Sequence, residues 1–262
     1  MKTIAIIPAR MGSSRFPGKP MELIHGIPMI GHCYYRTSMS EKLFDAYVAT
    51  CDQEIYDYIV SIGGKAVMTS NSHERATDRT AEAMLKIEHE MGEKVGIVVM
   101  VQGDEPMVKP EMIDESLKPF INEEINVVNL MAHMDSIVEF EDPNEVKVVV
   151  DKNNDAIYFS REPIPSRRKG VEKVPMLKQV CIIPFRREYL LKFNETEETD
   201  LERIESVDMM RIVENGEKVH MVLTNHSSLS VDTDEDRKNV EEKMKDDTLM
   251  KEYLDKLTTD SC

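Results

Sequence analysis

The stretch T-I-A-I-I-P-A-R-M-G-S-S-R-F-P-G-K-P, Thr3 to Pro20, decides how the rest of the chain is read. Its first part, Thr3–Ile7, is a short unbroken apolar run, the pattern of a strand covered on both faces. Its second part gathers Arg10, Arg15 and Lys19 with Gly12, Ser13, Ser14 and Gly18. A buried strand that opens into such a loop is suited to phosphate. Glycines admit the backbone, N–H groups turn inward and the cations offset the charge. Two familiar phosphate loops do not fit. Walker A needs four residues between its glycines and Ser or Thr after Lys, whereas five separate Gly12 from Gly18 and Pro20 follows Lys19. The dinucleotide fingerprint fails as well, because Gly12 is followed by Ser13 and Ser14. What remains is a phosphate loop that relies more on arginine and less on a helix dipole.

Further runs repeat the strand pattern at Ala46–Thr50, Lys65–Met68, Gly96–Val101, Asn126–Ala132 and Val146–Val150. Helix-like segments, Met29–Ser38, Glu54–Ile62 and Arg79–Glu90, separate the early ones. This alternation predicts βαβ units and an α/β fold with a mostly parallel central sheet, whose binding loops lie at the carboxyl ends of strands. From about Asp151 the texture changes: Pro163, Pro165, Pro175 and Pro184 interrupt the chain, and Arg167-Arg168-Lys169-Gly170 reads as an exposed turn. We read 151–205 as an insertion or subdomain within one domain spanning 1–262, contributing to substrate binding and to a dimer surface. Val219–Leu223 predicts another strand, and Val231-Asp232-Thr233 the start of a last helical stretch.

Composition narrows the function. The 262 residues are 41% hydrophobic, enough for a full core. The formal net charge of −16 argues against nucleic-acid binding, which requires a basic surface. Much of the acid lies in Glu195–Asp208 and Asp232–Asp247, which read as solvated helix faces. Against that background a local Arg/Lys cluster points to an anion. No apolar run approaches a membrane span, so a soluble cytoplasmic protein is expected. Cys33, Cys51, Cys181 and Cys262 form no CxxC pair and the seven histidines are scattered, so no zinc site is expected.

Two acidic motifs complete the phosphate loop. In V-Q-G-D-E-P, Val101 to Pro106, Asp104 follows a strand, where a carboxylate can bind a divalent cation together with substrate oxygens. In S-V-D-T-D-E-D, Asp232 is either a second such ligand or the N-cap of the last helix. Together the three segments describe a nucleoside triphosphate held by basic residues and a metal clamped by two carboxylates.

These motifs, with D-P-N-E-V-K-V-V-V-D (142–151), Y-F-S-R-E-P-I-P (158–165) and G-E-K-V-H (216–220), occur in the order found in the CMP-KDO synthetase family, which the chain resembles over nearly its whole length. The resemblance implies a Rossmann-like nucleotidyltransferase fold and a homodimer. It also implies Mg2+-dependent transfer of CMP from CTP to a sugar acid, with pyrophosphate released. By resemblance, Arg10, Ser13 or Ser14, Arg15 and Lys19 form the CTP phosphate clamp, and Ala9, Gly12, Thr77, Asp78 and Arg79 contribute to nucleotide binding. Arg10, Arg15, Lys19 and Asp104 serve catalysis, and Asp104 and Asp232 bind magnesium. Gln102, Arg161, Gln179 and Glu205 face the acceptor, with Arg161 holding its carboxylate.

Three departures concern the acceptor and base regions. Arg75-Ala76 replaces Ser-Gly, Gln179 and Ile183 stand where the family has His and Tyr, and Met209 replaces Gln. KDO, a related keto-deoxy sugar acid and a smaller acid such as a phosphonate therefore all stay open as acceptors. A non-catalytic nucleotide-binding protein of the same fold is the alternative from another class, and a sugar nucleotidyltransferase using another NTP is a third.

Overall fold

The computed structural model describes residues 2–12, 16–168, 173–226 and 229–259. β1 (Thr3–Ala9) leads into a small hairpin, β2 (Leu23–Ile24) with β3 (Ile27–Pro28). β4 (Asp45–Thr50), β5 (Ala66–Met68) and β6 (Ile97–Val101) then join β1 in parallel. β1 is apolar throughout because both faces are covered. Ile4 and Ile6 enter one core with Met84 and Ile87 of helix Ala76–Met91, while Ala5 and Ile7 enter the other with Ile30, Ile55 and Ile59. Every predicted strand and helix so far is present, within one to three residues at its ends.

The second half adds β7 (Val128–His133), β8 (Lys147–Val150), β9 (Ala156–Ser160), β10 (Leu177–Val180), β11 (Ile182–Arg186) and β12 (His220–Leu223). The central sheet has the order β11-β6-β1-β4-β5, and a second sheet, mainly antiparallel, runs β12-β7-β10-β8-β9. The stretch 151–205 supplies β9 and β10 to the second sheet and β11 to the central one, so its strands are shared between both. β11 is antiparallel and at the edge, where Pro184, which lacks an N–H, is tolerated. Among the described residues no helix is long and apolar enough to cross a membrane.

A third core ties the end of the chain to its beginning. Val231, Val240, Met244, Met250 and Tyr253 pack on Ile24, Ile27 and Met29. Beneath Tyr253 lies His32, fully buried at the centre of helix Met29–Ser38. Its Nε2–H donates to the Ile24 carbonyl at 2.8 Å, which leaves Nδ1 to accept from the Tyr253 hydroxyl. Burial, only partly offset by that carbonyl, lowers the His32 pKa to about 4. Between the ordinary histidine value and about 4 the unfolded chain carries a proton that the folded one does not, so stability falls as pH drops through that window. Lowering the pH from 7.5 to 5 is expected to cost the wild type about 2 kcal/mol more stability than it costs His32→Gln, measured by denaturation at both pH values. Equal acid sensitivity in the two proteins refutes a buried neutral histidine.

Candidate active site

After β5 the chain crosses back past β1 to form β6 on its other side, so the connections leaving β1 and β6 diverge and open a crevice at their carboxyl ends. The loop after β1 is closed by the Gly18 N–H donating to the Met11 carbonyl at 3.1 Å. Gly18 has φ +77°, a left-handed conformation that glycine adopts without strain. Met11 N–H donates to Asp52 Oδ2 at 2.8 Å, fastening this loop to the end of β4. The loop after β6 presses against it: a Cβ on Gly103 would lie 2.9 Å from the Pro8 carbonyl oxygen. Glycine is what lets Gln102 and Asp104 flank the phosphate loop. Ser13, Ser14 and Arg15 lie outside the described residues.

Lys19 joins the three acidic and basic motifs. Its ammonium donates to Asp104 Oδ2 at 2.9 Å, to the Val231 carbonyl at 2.8 Å and to Asp232 Oδ1 at 3.4 Å. Val231 N–H donates to the Asp104 carbonyl at 2.9 Å, so the two aspartate-bearing segments are also joined through their backbones. Burial opposes the charge on Lys19, but Asp104 and Asp232 outweigh it and hold its pKa above the ordinary lysine value. Two carboxylates converging on one cation make a donor set that fits a divalent ion completed by substrate oxygens. Thr233 caps the helix Asp234–Lys243 and leaves the Asp232 side chain facing Lys19, so the N-cap alternative for Asp232 does not hold.

Two cavities meet at Gln102 and Asp104, which line both. The first, about 320 Å3, is bounded by Ala9, Arg10, Gly12, Lys19, Arg75 and Arg79 among others. Arg79 is buried, and its Nη1 donates to Thr69 Oγ1 at 2.6 Å, which stiffens the cleft wall. Thr77 is turned away from this cleft: its hydroxyl donates to Asp208 Oδ2 at 3.1 Å. Asp78, on the first turn of helix Ala76–Met91, is half-buried and does not line the cleft.

The second cavity, about 160 Å3, is enclosed by the end of β6, the β10–β11 junction, Asn144–Val146, Arg161, Ser206–Met209 and Asp232. Arg161 lines it, but its guanidinium already donates to the carbonyls of Glu205 (2.8 Å), Pro143 (2.9 Å) and Ser206 (3.4 Å). It thereby braces the cavity wall. Glu205, expected to contact the acceptor, does not line the cavity. Its carboxylate accepts from Tyr158 Oη (3.1 Å), Ser160 Oγ (3.0 Å) and Arg161 N–H (2.9 Å), all on the β9 side. The reason is local: Ser206, with φ 53°, turns the chain just after Glu205 and presents the next residues to the cavity instead.

Gln179 lines this cavity and donates to Asn129 Oδ1, and Ile183 and Met209 form buried apolar wall. Sequence reasoning missed Lys178. This lysine, only 5% exposed, sits mid-strand on β10 and pairs with Glu139 at 2.7 Å and Glu145 at 3.2 Å. A lysine beside Gln179, with Met176-Leu177 before the pair and Val180-Cys181-Ile182 after it, was the available signal. Burial, only partly offset by Lys178, raises the pKa of Glu145. Asp208 was also missed, because it ends an acidic run that reads as solvated surface. Its carboxyl is raised by burial even beside Arg75.

Comparison with known proteins agrees with this geometry. A cytidylyltransferase family profile matches residues 4–219. The chain is 38% identical over 255 residues to the 3-deoxy-manno-octulosonate cytidylyltransferase of Geobacter metallireducens, covering 93% of this chain and 98% of that one. It is 42% identical over 243 residues to the enzyme of the same name from Thermodesulfovibrio yellowstonii, covering 90% and 95%. A structure of CMP:2-keto-3-deoxy-manno-octonic acid synthetase complexed with CTP superposes with a TM-score of 0.85 at 36% identity, covering 93% of this chain and 98% of that one. The chain that builds this crevice and its two confluent cavities therefore belongs to the 3-deoxy-manno-octulosonate cytidylyltransferase family.

Proposed function

We propose that the protein transfers CMP from CTP to 3-deoxy-manno-octulosonate and releases pyrophosphate. The observation that carries this reading is Lys19 held between Asp104 and Asp232 where the two cavities meet. Attack on the α-phosphoryl group asks little covalent chemistry of a protein; it asks for alignment and for positive charge where the leaving group develops. The larger cleft, with Arg10, Lys19 and Arg79, takes the nucleotide. The smaller cavity takes the sugar acid, whose hydroxyl reaches the phosphorus at the shared wall of Gln102 and Asp104. Asp104 and Asp232 would hold Mg2+, which supplies charge neutralisation on the phosphates and orientation of the reacting oxygens. Lys19, relieved of one carboxylate, turns its ammonium to the departing pyrophosphate.

The homodimer and the cytoplasmic location remain part of this proposal, supported by resemblance and by the expected supply of CTP. The three departures from the family pattern make the acceptor the property to test first. Pyrophosphate release is expected with CTP, Mg2+ and 3-deoxy-manno-octulosonate. Release only with another keto-deoxy acid or a phosphonate overturns the acceptor, and CTP binding without release from any of them favours a silent relative.

Asp104→Ala is expected to stay folded by circular dichroism and to lose at least about 10^3-fold in kcat. An active, folded variant refutes the metal assignment. Lys19→Met separates two readouts. Turnover falls, while affinity for free Mn2+ without nucleotide rises several-fold, because the competing internal cation is gone. Weakened Mn2+ binding in a folded Lys19→Met protein contradicts a shared cation position.

A further inference from the structure

Arg75 stands where the nucleotide cleft meets the wall of the acceptor cavity, and its side chain reaches from one to the other. It is the residue before helix Ala76–Met91 and lines the nucleotide cleft beside Ala76 and Arg79. Its Nε donates to Glu198 Oε1 at 3.1 Å and its Nη1 lies 3.4 Å from Asp208 Oδ1. The other oxygen of Asp208 accepts from Thr77 Oγ1 at 3.1 Å. Both oxygens of an acceptor-cavity carboxylate are thus held by the first residues of a nucleotide-cleft helix.

The segment these contacts fasten is the one that shapes the acceptor cavity. Between Glu198 and Asp208 the chain forms helix Asp200–Glu205, reverses at Ser206 and then lines the cavity with Ser206, Val207, Asp208 and Met209. One guanidinium therefore pins both ends of that stretch. A guanidinium has five N–H donors in a rigid fork, and these contacts occupy two of them. Among the described residues no other acceptor engages it, so its Nη groups can meet oxygens of a bound nucleotide without releasing either carboxylate. The exposed half of the arrangement, Arg75 with Glu198, is an ordinary surface pair of small energetic weight. The pair with Asp208 is different in kind, because that carboxylate is largely withdrawn from water, at 18% side-chain exposure.

We propose that Arg75 is a positioning residue that transmits occupancy of the nucleotide cleft to the acceptor wall, ordering residues 205–209 when CTP binds. The inference rests on the assignment of the larger cleft to the nucleotide. Hydrogen exchange with CTP and Mg2+ as the only ligands tests it. In the wild type, CTP slows exchange both in the phosphate loop and across 205–209. In Arg75→Ala, CTP still binds by calorimetry and still protects the phosphate loop, but protection of 205–209 is lost. Kinetically, Arg75→Ala and Asp208→Asn each raise the KM for 3-deoxy-manno-octulosonate about tenfold, with kcat at saturating acceptor near wild type and no further loss in the double variant. Arg75→Lys does not restore the coupling, since one ammonium cannot form the fork. Protection of 205–209 that survives in Arg75→Ala overturns the inference, as does a wild type that binds CTP without protecting this segment. An Arg75→Ala variant with weakened CTP affinity whose segment 205–209 is still protected at saturating CTP overturns it, by making Arg75 a nucleotide contact and nothing more. A wild type that binds no CTP overturns the nucleotide assignment itself.

Discussion

Two carboxylates that face each other across a partly buried crevice can both stay ionised only with a cation between them, and the protein meets this constraint with Lys19. The ammonium gathers residues from the start, middle and end of the sequence: its own loop after β1, Asp104 after β6, and Val231 with Asp232 ahead of the last helices. The surrounding architecture serves that meeting. Gly103 lets the β6 loop touch the β1 loop, Asp52 fastens the phosphate loop from β4, and the third apolar core seats the carboxyl-terminal segment that carries Asp232.

The smaller cavity is organised by the opposite strategy, in which charged groups are engaged by the protein itself. Arg161 gives three of its five N–H groups to carbonyls, and the fully buried Lys147 donates to the carbonyls of Asp142 and Glu145, so two cations hold the loop that carries Asn144. Burial, though opposed by the nearby acids, lowers the pKa of Lys147. Lys178 is neutralised by Glu139 and Glu145. Such a cavity would select a ligand through shape and a few fixed polar atoms. This is the setting in which replacing a histidine and a tyrosine by Gln179 and Ile183 changes fit more than charge.

Much of this was legible in the residues. The continuous apolar strands announced a sheet covered on both faces, and the loop beginning at Ala9 announced phosphate, because both signals are local. The edge strand β11 was hidden by Pro184 and by its position beside β6, far away in sequence. Glu205 and Asp208 show the limit most clearly. Three residues apart in one acidic run, they differ in role because Ser206 takes a left-handed turn between them, and a serine does not advertise that conformation. Lys178 was missed for a related reason: its glutamate partners lie on segments that only the tertiary fold brings together.

The placement of Asp232 bears on how the molecule comes into being. The phosphate loop and Asp104 belong to the first half of the chain, whereas Asp232 lies on a segment seated by Val240, Met244, Met250 and Tyr253. Until that segment packs, Lys19 on the loop after β1 has Asp104 after β6 to face. The second carboxylate arrives when the carboxyl-terminal helices close over the hairpin. Docking of that segment is what completes the charge pair, and loosening its packing at Val240, Met244, Met250 or Tyr253 would withdraw one carboxylate from Lys19.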